Sequence, residues 1–174
     1  MMNNSCKKFF KGKKVLITGN TGFVGSHLSL TLSLMGAKVL GLSQKKKHKG
    51  YISNFKKYKD RIKTIDSDII NINRKFKLLK KFKPSLAIHL ASQPVVLTSY
   101  KKTRETFKTN ILGTVEFLEV IKKIPSIKSI IVFTSDKVYE NKKNKFLYEG
   151  SKLGGLDPYS ASKSSQDIIA NSYK

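Results

Sequence analysis

The sequence predicts an α/β protein built as a doubly wound parallel sheet. Short apolar strands alternate with helical segments along the chain, and a glycine-rich turn joins the first strand to the first helix. Such alternation places helices on both faces of a parallel sheet and ligands at the carboxyl ends of its strands. A third observation is chemical: Tyr159 and Lys163 stand four residues apart in the run Asp157-Pro158-Tyr159-Ser160-Ala161-Ser162-Lys163.

Val15-Leu16-Ile17 reads as a short buried strand, and residues 26–35 carry Leu28, Leu32 and Met35 at helical spacing, closed by Gly36 as a C-cap. Between them runs Thr18-Gly19-Asn20-Thr21-Gly22-Phe23-Val24-Gly25, with the spacing Gly-x-x-Gly-x-x-Gly. On a strand-to-helix turn, such glycines either serve packing or let a pyrophosphate reach free backbone amides and the positive end of the helix dipole. The second strand, 37–42, leads into Ser43-Gln44-Lys45-Lys46-Lys47, with no acid where a carboxylate usually takes the adenosine ribose hydroxyls. Ser43 or Gln44 can bond a ribose hydroxyl. The three lysines either take a 2′-phosphate or form a solvated loop, which leaves NAD against NADP open at these residues.

Residues 62–65 read as a third strand, 73–82 as a basic helix stopped by Pro84, and 86–90 as a fourth strand. Residues 103–123 form a long helix with Phe107, Ile111, Val115, Leu118 and Ile121 on one side, and 129–133 a fifth strand. The lysine-rich stretch 141–145 is a loop. Asp66-Ser67-Asp68-Ile69, Ala91-Ser92-Gln93-Pro94 and Thr134-Ser135-Asp136-Lys137 fall at the ends of strands three, four and five. Asp68 either accepts from an adenine amino group, with the Ile69 backbone meeting its neighbour, or stabilises its own loop. His89 reads as a packed core histidine, and His27 as a surface or packing residue of the first helix.

A length of 174 residues suits one domain with a real core. Thirty-five basic residues against 11 acidic ones give a net charge of +24, which raises nucleic acid or an anionic surface as partners. The lysines, however, are spread over every predicted element, and arginine occurs only at Arg61, Arg74 and Arg104. Readers of nucleic acid lean on arginine forks, so the charge reads as a compositional bias on solvated surfaces, with neither nucleic acid nor a membrane expected as partner. Cys6 is the sole cysteine, which excludes a disulfide framework and a cysteine-based metal site; no metal is expected. A cytoplasmic location fits, since the basic N-terminal extension 1–12 is too weakly apolar for a signal peptide and no run approaches a membrane span.

Ser135, Tyr159 and Lys163 together suit oxidation of a hydroxyl. A phenol is a weak base at neutral pH, but a neighbouring ammonium and a positive nicotinamide ring both favour the phenolate. Tyr159 then takes a proton from a sugar hydroxyl, Lys163 one helical turn on assists it and holds the nicotinamide ribose, and Ser135 hydrogen-bonds the reacting oxygen.

The glycine turn from Thr18 to Ser26, His89-Leu-Ala-Ser-Gln-Pro, Thr109-Asn-Ile-Leu-Gly-Thr, Thr134-Ser-Asp-Lys-Val-Tyr-Glu-Asn and Leu153-Gly-Gly-Leu-Asp-Pro-Tyr-Ser-Ala-Ser-Lys together resemble one family. It is the extended short-chain dehydrogenase/reductase family of NAD-dependent nucleotide-sugar epimerases and dehydratases, and within it the CDP-glucose 4,6-dehydratases. The resemblance covers about residues 13–173. Its most specific part is Ser135-Asp136-Lys137, where the related dTDP-glucose dehydratases carry Thr-Asp-Glu and epimerases generally lack the acid-base pair. Val24 and His27 stand where this family more often has lysine and tryptophan.

The resemblance implies a Rossmann-type NAD-binding domain over 13–174, truncated before a C-terminal substrate domain. It implies a cofactor site drawn from Gly19, Thr21, Gly22, Phe23, Val24 and Gly25 at the turn, Ser43 after the second strand, and Asp68 and Ile69 after the third. Leu90, Ala91, Ser92, Gln93 and Asn110 would contribute further, with Tyr159 and Lys163 at the nicotinamide end. The implied reaction converts CDP-glucose into its 4-keto-6-deoxy form by transient oxidation at C4, loss of water across C5 and C6, and reduction at C6. Asp136 would serve as acid and Lys137 as base for the elimination. The full-length protein would pair as a homodimer through helices 103–123 and 159–173, while the 174-residue chain alone is expected to be inactive. Two other readings stay open: another extended short-chain dehydrogenase acting as a nucleotide-sugar epimerase or reductase, and a non-catalytic NAD-binding fragment.

Overall fold

The computed structural model describes residues 4–44, 61–140 and 146–174. Lys45 to Lys47 and the loop 141–145 lie outside the described residues. After a short helix α1 (Asn4–Phe10), the chain forms β1 (Lys14–Thr18), α2 (Phe23–Leu34), β2 (Lys38–Ser43) and β3 (Ile62–Asp66). A 3-10 segment (Ile69–Lys75) leads into α3 (Phe76–Phe82) and β4 (Leu86–His89). Then follow α4 (Val96–Lys101), α5 (Thr103–Phe107), a π turn (Lys108–Leu112), α6 (Gly113–Ile121), β5 (Ser129–Val132) and α7 (Pro158–Ser172).

The five strands form one parallel sheet in the order β3-β2-β1-β4-β5, a Rossmann-type doubly wound arrangement. The order reverses between β1 and β4, so the crevice at a topological switch point opens at the carboxyl ends of those two strands. Alternation of side chains along β1 sends Leu16 into one core with Leu40, Phe117 and Ile121, and Val15 and Ile17 into the other with Leu32, Val39 and Ile88. Burial on both faces is why β1 and β2 read as continuous apolar runs. β5 lies at the sheet edge, with Ile130 and Ile131 exposed.

Several boundaries differ from the sequence reading. α2, expected from residue 26, starts at Phe23 inside the glycine run, and its buried face is built from Gly25, Ser26, Ser29 and Ser33 beside Leu32. Small residues let it lie close on the sheet. The basic helix starts at Phe76 instead of residue 73, because Asp68 caps a preceding 3-10 segment in which Asn71 is non-helical. In the long helix, Phe107, Ile111 and Val115 are only partly buried, while Thr106, Asn110 and Thr114 are fully buried. Those polar side chains are accepted in the interior because each is hydrogen-bonded. The N-terminal extension is also tied down: Phe10 packs against the Leu32 and Val39 cluster, and Gly12 N donates to Gly36 O at 2.9 Å.

Candidate functional site

The glycine turn is shaped by close approaches. Gly19 has φ +70°, and a Cβ there would lie 2.8 Å from Leu90 C and Ala91 N at the end of β4. A Cβ on Gly25 would collide with the Gly19 carbonyl oxygen and lie 2.8 Å from Asn20 Cα, so the first turn of α2 rests directly on the loop backbone. Gly22 differs. It is exposed, has φ −70°, and a Cβ there would meet only Gly19 O, at 3.3 Å. Gly22 is also the N-cap of α2 and contributes no side-chain cap, so the positive end of the helix dipole faces the mouth of the turn, where an anion is favoured.

Asn20, not singled out from the sequence, is the buried post of this turn. Its Nδ2 donates to Thr64 Oγ1 at 2.8 Å, its Oδ1 accepts from Ser43 Oγ at 3.0 Å, and its side chain fills the space where a Cβ on Gly41 would stand. Ser43 Oγ also accepts from Thr21 N at 3.2 Å. The structure thus gives the Ser43 hydroxyl two partners within the turn. Only the glycine at position 41 in an otherwise apolar strand hinted at Asn20.

Asp68 Oδ1 accepts from Ile70 N at 3.1 Å and Oδ2 from Gln44 Nε2 at 2.7 Å, so it stabilises its own loop and links it to the end of β2. The Ile69 side chain packs in the core against Gly113. Phe23 and Val24 are exposed at the mouth of the turn, and the Phe23 ring meets His27 edge-on with centroids 5.0 Å apart.

The loop after β4 is joined to the helix bearing the Tyr-Lys pair. Gln93 N donates to Asn110 Oδ1 at 2.7 Å, and Asn110 Nδ2 donates to Gln93 O at 3.2 Å and to Ser162 Oγ at 2.8 Å. Asn110 sits in the π turn, a distortion frequent at functional sites. α7 begins with Asp157 as N-cap, accepting from Ser160 N at 3.0 Å, and Pro158 in its first turn. Tyr159 N donates to Ser99 Oγ at 3.1 Å, a second anchor that the sequence did not reveal. Lys163 is 3% exposed; its Nζ donates to Phe133 O at 3.1 Å and to Gln166 Oε1 at 2.8 Å, and burial pulls its pKa down to about 8.

Asp136 and Lys137 stand exposed on a 3-10 turn capped by Ser135. Ser135 Oγ accepts from Lys137 N at 3.1 Å and donates to Asp136 Oδ1 at 3.0 Å. The turn is fastened to α7, because Ser164 Oγ lies 2.6 Å from both Val138 O and Gly154 O and its one proton is shared between them. On the Asp157 carboxyl, burial acts upward but is outweighed by hydrogen bonds from Ser160 and the Tyr159 backbone and by the charge of Lys137, so its pKa is lowered. His89 is a core residue, stacked on Phe117 with centroids 4.5 Å apart; burial, and then the charge of Lys163, lowers its pKa to about 3.

The carboxyl ends of the strands therefore bring the glycine turn, the β4 loop with Asn110, the Ser135-Asp136-Lys137 turn and the Tyr159-Lys163 helix side by side, each fastened to the next. A family model described as GDP-mannose 4,6 dehydratase matches residues 16–174. The chain belongs to the GDP-mannose 4,6 dehydratase family. It is 37% identical over 169 residues to a CDP-glucose 4,6-dehydratase of Salmonella typhimurium, covering 97% of this chain and 47% of the relative. It shares its fold with Epimerase Mth375 of Methanothermobacter thermautotrophicus, with TM-score 0.84, 24% identity, and coverage of 97% of this chain and 49% of that one. MoeE5, solved in complex with UDP-glucose and NAD, is 26% identical with TM-score 0.77 over 92% of this chain and 48% of that one. The chain spans about half the length of the curated relatives it matches. Members of this family are nucleotide-sugar dehydratases, with epimerases close by in sequence. Among the described residues, no helix is long and apolar enough to cross a membrane.

Proposed function

We propose that this chain is the cofactor-binding half of an NAD-dependent nucleotide-sugar 4,6-dehydratase whose substrate is CDP-glucose. The observation that carries the reading is the Ser135-Asp136-Lys137 turn, held by Ser164 against the same helix that presents Tyr159 and Lys163. The 37% identity to a CDP-glucose 4,6-dehydratase supports the choice of sugar nucleotide.

The glycine turn fits a dinucleotide: Gly22 leaves a surface that a side chain would fill, and the uncapped start of α2 offers amides and a helix dipole to a pyrophosphate. Asp68 at the end of β3 and the Leu90-to-Gln93 loop flank it. NAD, held at this turn, would supply a hydride acceptor for oxidation at C4 and, once reduced, a hydride donor for C6. Tyr159 takes the C4 hydroxyl proton, and Lys163, held as an ammonium by Phe133 O and Gln166 Oε1, keeps a third N–H for the phenol or the cofactor ribose. Ser135 turns its hydroxyl from Asp136 to the reacting oxygen. Once C4 is a ketone, the C5 proton is acidic; Lys137 takes it and Asp136 protonates the departing C6 hydroxyl. The whole protein would act as a homodimer in the cytoplasm.

Calorimetric titration tests the cofactor half of this reading. NAD is expected to bind at least about tenfold more tightly than NADP, because the Asp68 carboxylate beside Gln44 opposes a 2′-phosphate at the end of β2. Tighter binding of NADP would overturn the preference.

Lys163 gives a pH dependence with a definite sign. Its folded pKa lies below the ordinary value of 10.5, at about 8, so the ammonium is present below that pH and is lost as pH rises through it. NAD affinity should therefore fall from about pH 7 to about pH 9, and a Lys163→Met chain should bind weakly with no such step. An unchanged step in that variant would assign the titration to another group.

A further inference from the structure

We propose that Gln166 is the positioning residue for Lys163, and that it couples the Tyr-Lys helix to the glycine turn through a chain of buried hydrogen bonds. This rests on the cofactor reading above. Gln166 lies three residues beyond Lys163, on the same face of α7, and is 1% exposed. A side chain with four hydrogen-bonding sites is costly in a core unless it is partnered, and Gln166 is partnered at both ends.

Every proton in the chain has one consistent place. Lys163 is donor-only, so Gln166 must turn its oxygen toward the ammonium, at 2.8 Å, and its amide nitrogen toward Thr114 Oγ1, at 2.8 Å. Thr114 spends its single proton on Asn110 O at 2.6 Å, so Oγ1 is an acceptor for its other neighbours. His89 Nε2, 3.1 Å from Thr114 Oγ1, therefore carries the ring proton. Its Nδ1 accepts from Thr18 Oγ1 at 2.7 Å, and Thr18 Oγ1 accepts in turn from Leu90 N and Ala91 N, each at 3.2 Å. The far end of the chain is thus the β4 loop against which Gly19 packs.

The consequence is geometric. Phe133 O and Gln166 Oε1 fix two of the three Lys163 N–H directions, and the third is left for the nicotinamide ribose or Tyr159. Phe133 O belongs to the residue just past the edge strand β5, which Phe133 N ties to His89 O at 3.0 Å, whereas Gln166 Oε1 rides on α7 with the lysine itself. Without Gln166 the ammonium keeps its charge and loses its aim.

NAD and ADP titrated into the chain and two variants test this, because ADP lacks the nicotinamide ribose. Gln166→Met, similar in volume and without hydrogen bonds, is expected to weaken NAD by about tenfold or more while leaving ADP within about twofold of the parent. Gln166→Glu keeps the acceptor for Lys163, and Thr114 Oγ1, still receiving His89 Nε2–H, can turn its proton from Asn110 O to the second carboxylate oxygen, so NAD affinity should return to within about threefold of the parent. Equal loss of NAD and ADP by Gln166→Met would make Gln166 a core residue only, and parental NAD binding by that variant would remove its role altogether. Failure of Gln166→Glu to restore NAD binding would also overturn the proposal. A parent chain that binds neither NAD nor ADP would remove the cofactor reading beneath it.

Discussion

Gly25→Ala should strip away a large share of the chain's stability, while Gly22→Val should fold like the parent and fail to bind cofactor. The two glycines share one turn, yet the space around them differs. A methyl group on Gly25 collides with the Gly19 carbonyl oxygen and lies 2.8 Å from Asn20 Cα, and both of those are backbone that cannot rotate away. Relief would require lifting α2 off β1 and breaking the Asn20 bonds to Ser43 and Thr64, a loss of about 3 kcal/mol or more in a domain with only about 5–15 kcal/mol to lose. At Gly22 the nearest atom to a new Cβ is a single carbonyl oxygen at 3.3 Å, and the backbone already has φ −70°, which any residue adopts. The branches of a valine there project into the open mouth of the turn, where the pyrophosphate would lie. Thermal unfolding by circular dichroism, with NAD titration of whatever remains folded, separates the two. A Gly25→Ala chain melting with the parent would show that helix and loop are less tightly joined than the structure makes them. Parental NAD affinity in Gly22→Val would place the pyrophosphate elsewhere.

The larger chemical effect is expected at the Tyr159 phenol. On the mechanism proposed above, Tyr159→Phe would remove the base for the C4 hydroxyl, so in an active enzyme it should lower turnover of CDP-glucose by about 100-fold or more, with no rise in absorbance at the reduced-nicotinamide band. Asp136→Asn and Lys137→Met leave C4 oxidation intact and stall the elimination, so that band should rise and persist. The two are further separable in deuterium oxide. Asp136→Asn keeps Lys137 and should wash deuterium into C5 of recovered sugar nucleotide, whereas Lys137→Met should not. Ser135 lies between these roles, since its hydroxyl donates to Asp136 Oδ1 and its oxygen caps the Lys137 amide. If Asp136→Asn and Lys137→Met turn over like the parent, the pair is structural and the chain is better read as an epimerase or reductase relative.

The succession of strands and helices, the glycine turn and the Tyr-Lys helix were legible in the amino-acid sequence because each is a local pattern, whereas the order β3-β2-β1-β4-β5 came from the tertiary structure. β1 and β2 are buried on both faces and so are apolar without interruption; Asp157-Pro158 opens α7 as cap and first turn; Gly36, at φ +91°, closes α2. The helix over 103–123 was legible in extent and, at the buried Leu118 and Ile121, in facing, but not in its first half. Its apolar spacing suggested Phe107, Ile111 and Val115 as the buried side, and the π turn at 108–112 instead buries Asn110 and Thr114. Those two polar residues enter the core only because their partners, Gln93, Ser162, His89 and Gln166, arrive from distant parts of the chain.

Residue types and spacing by themselves determined the parallel α/β architecture, the place of the glycine turn and the position of the Tyr-Lys pair on a helix, since these depend on backbone freedom and on side-chain periodicity within a few turns. Only the tertiary structure decided what each of those residues is free to do. It engages the Ser43 hydroxyl with Asn20 and Thr21, turns Asp68 to its own loop and to Gln44, and aims Lys163 by means of Gln166. The physical reason is that a hydrogen bond between side chains far apart in the chain leaves no periodic trace in either segment, and whether a buried polar group is a tool or a fastener depends on the partner that folding puts beside it.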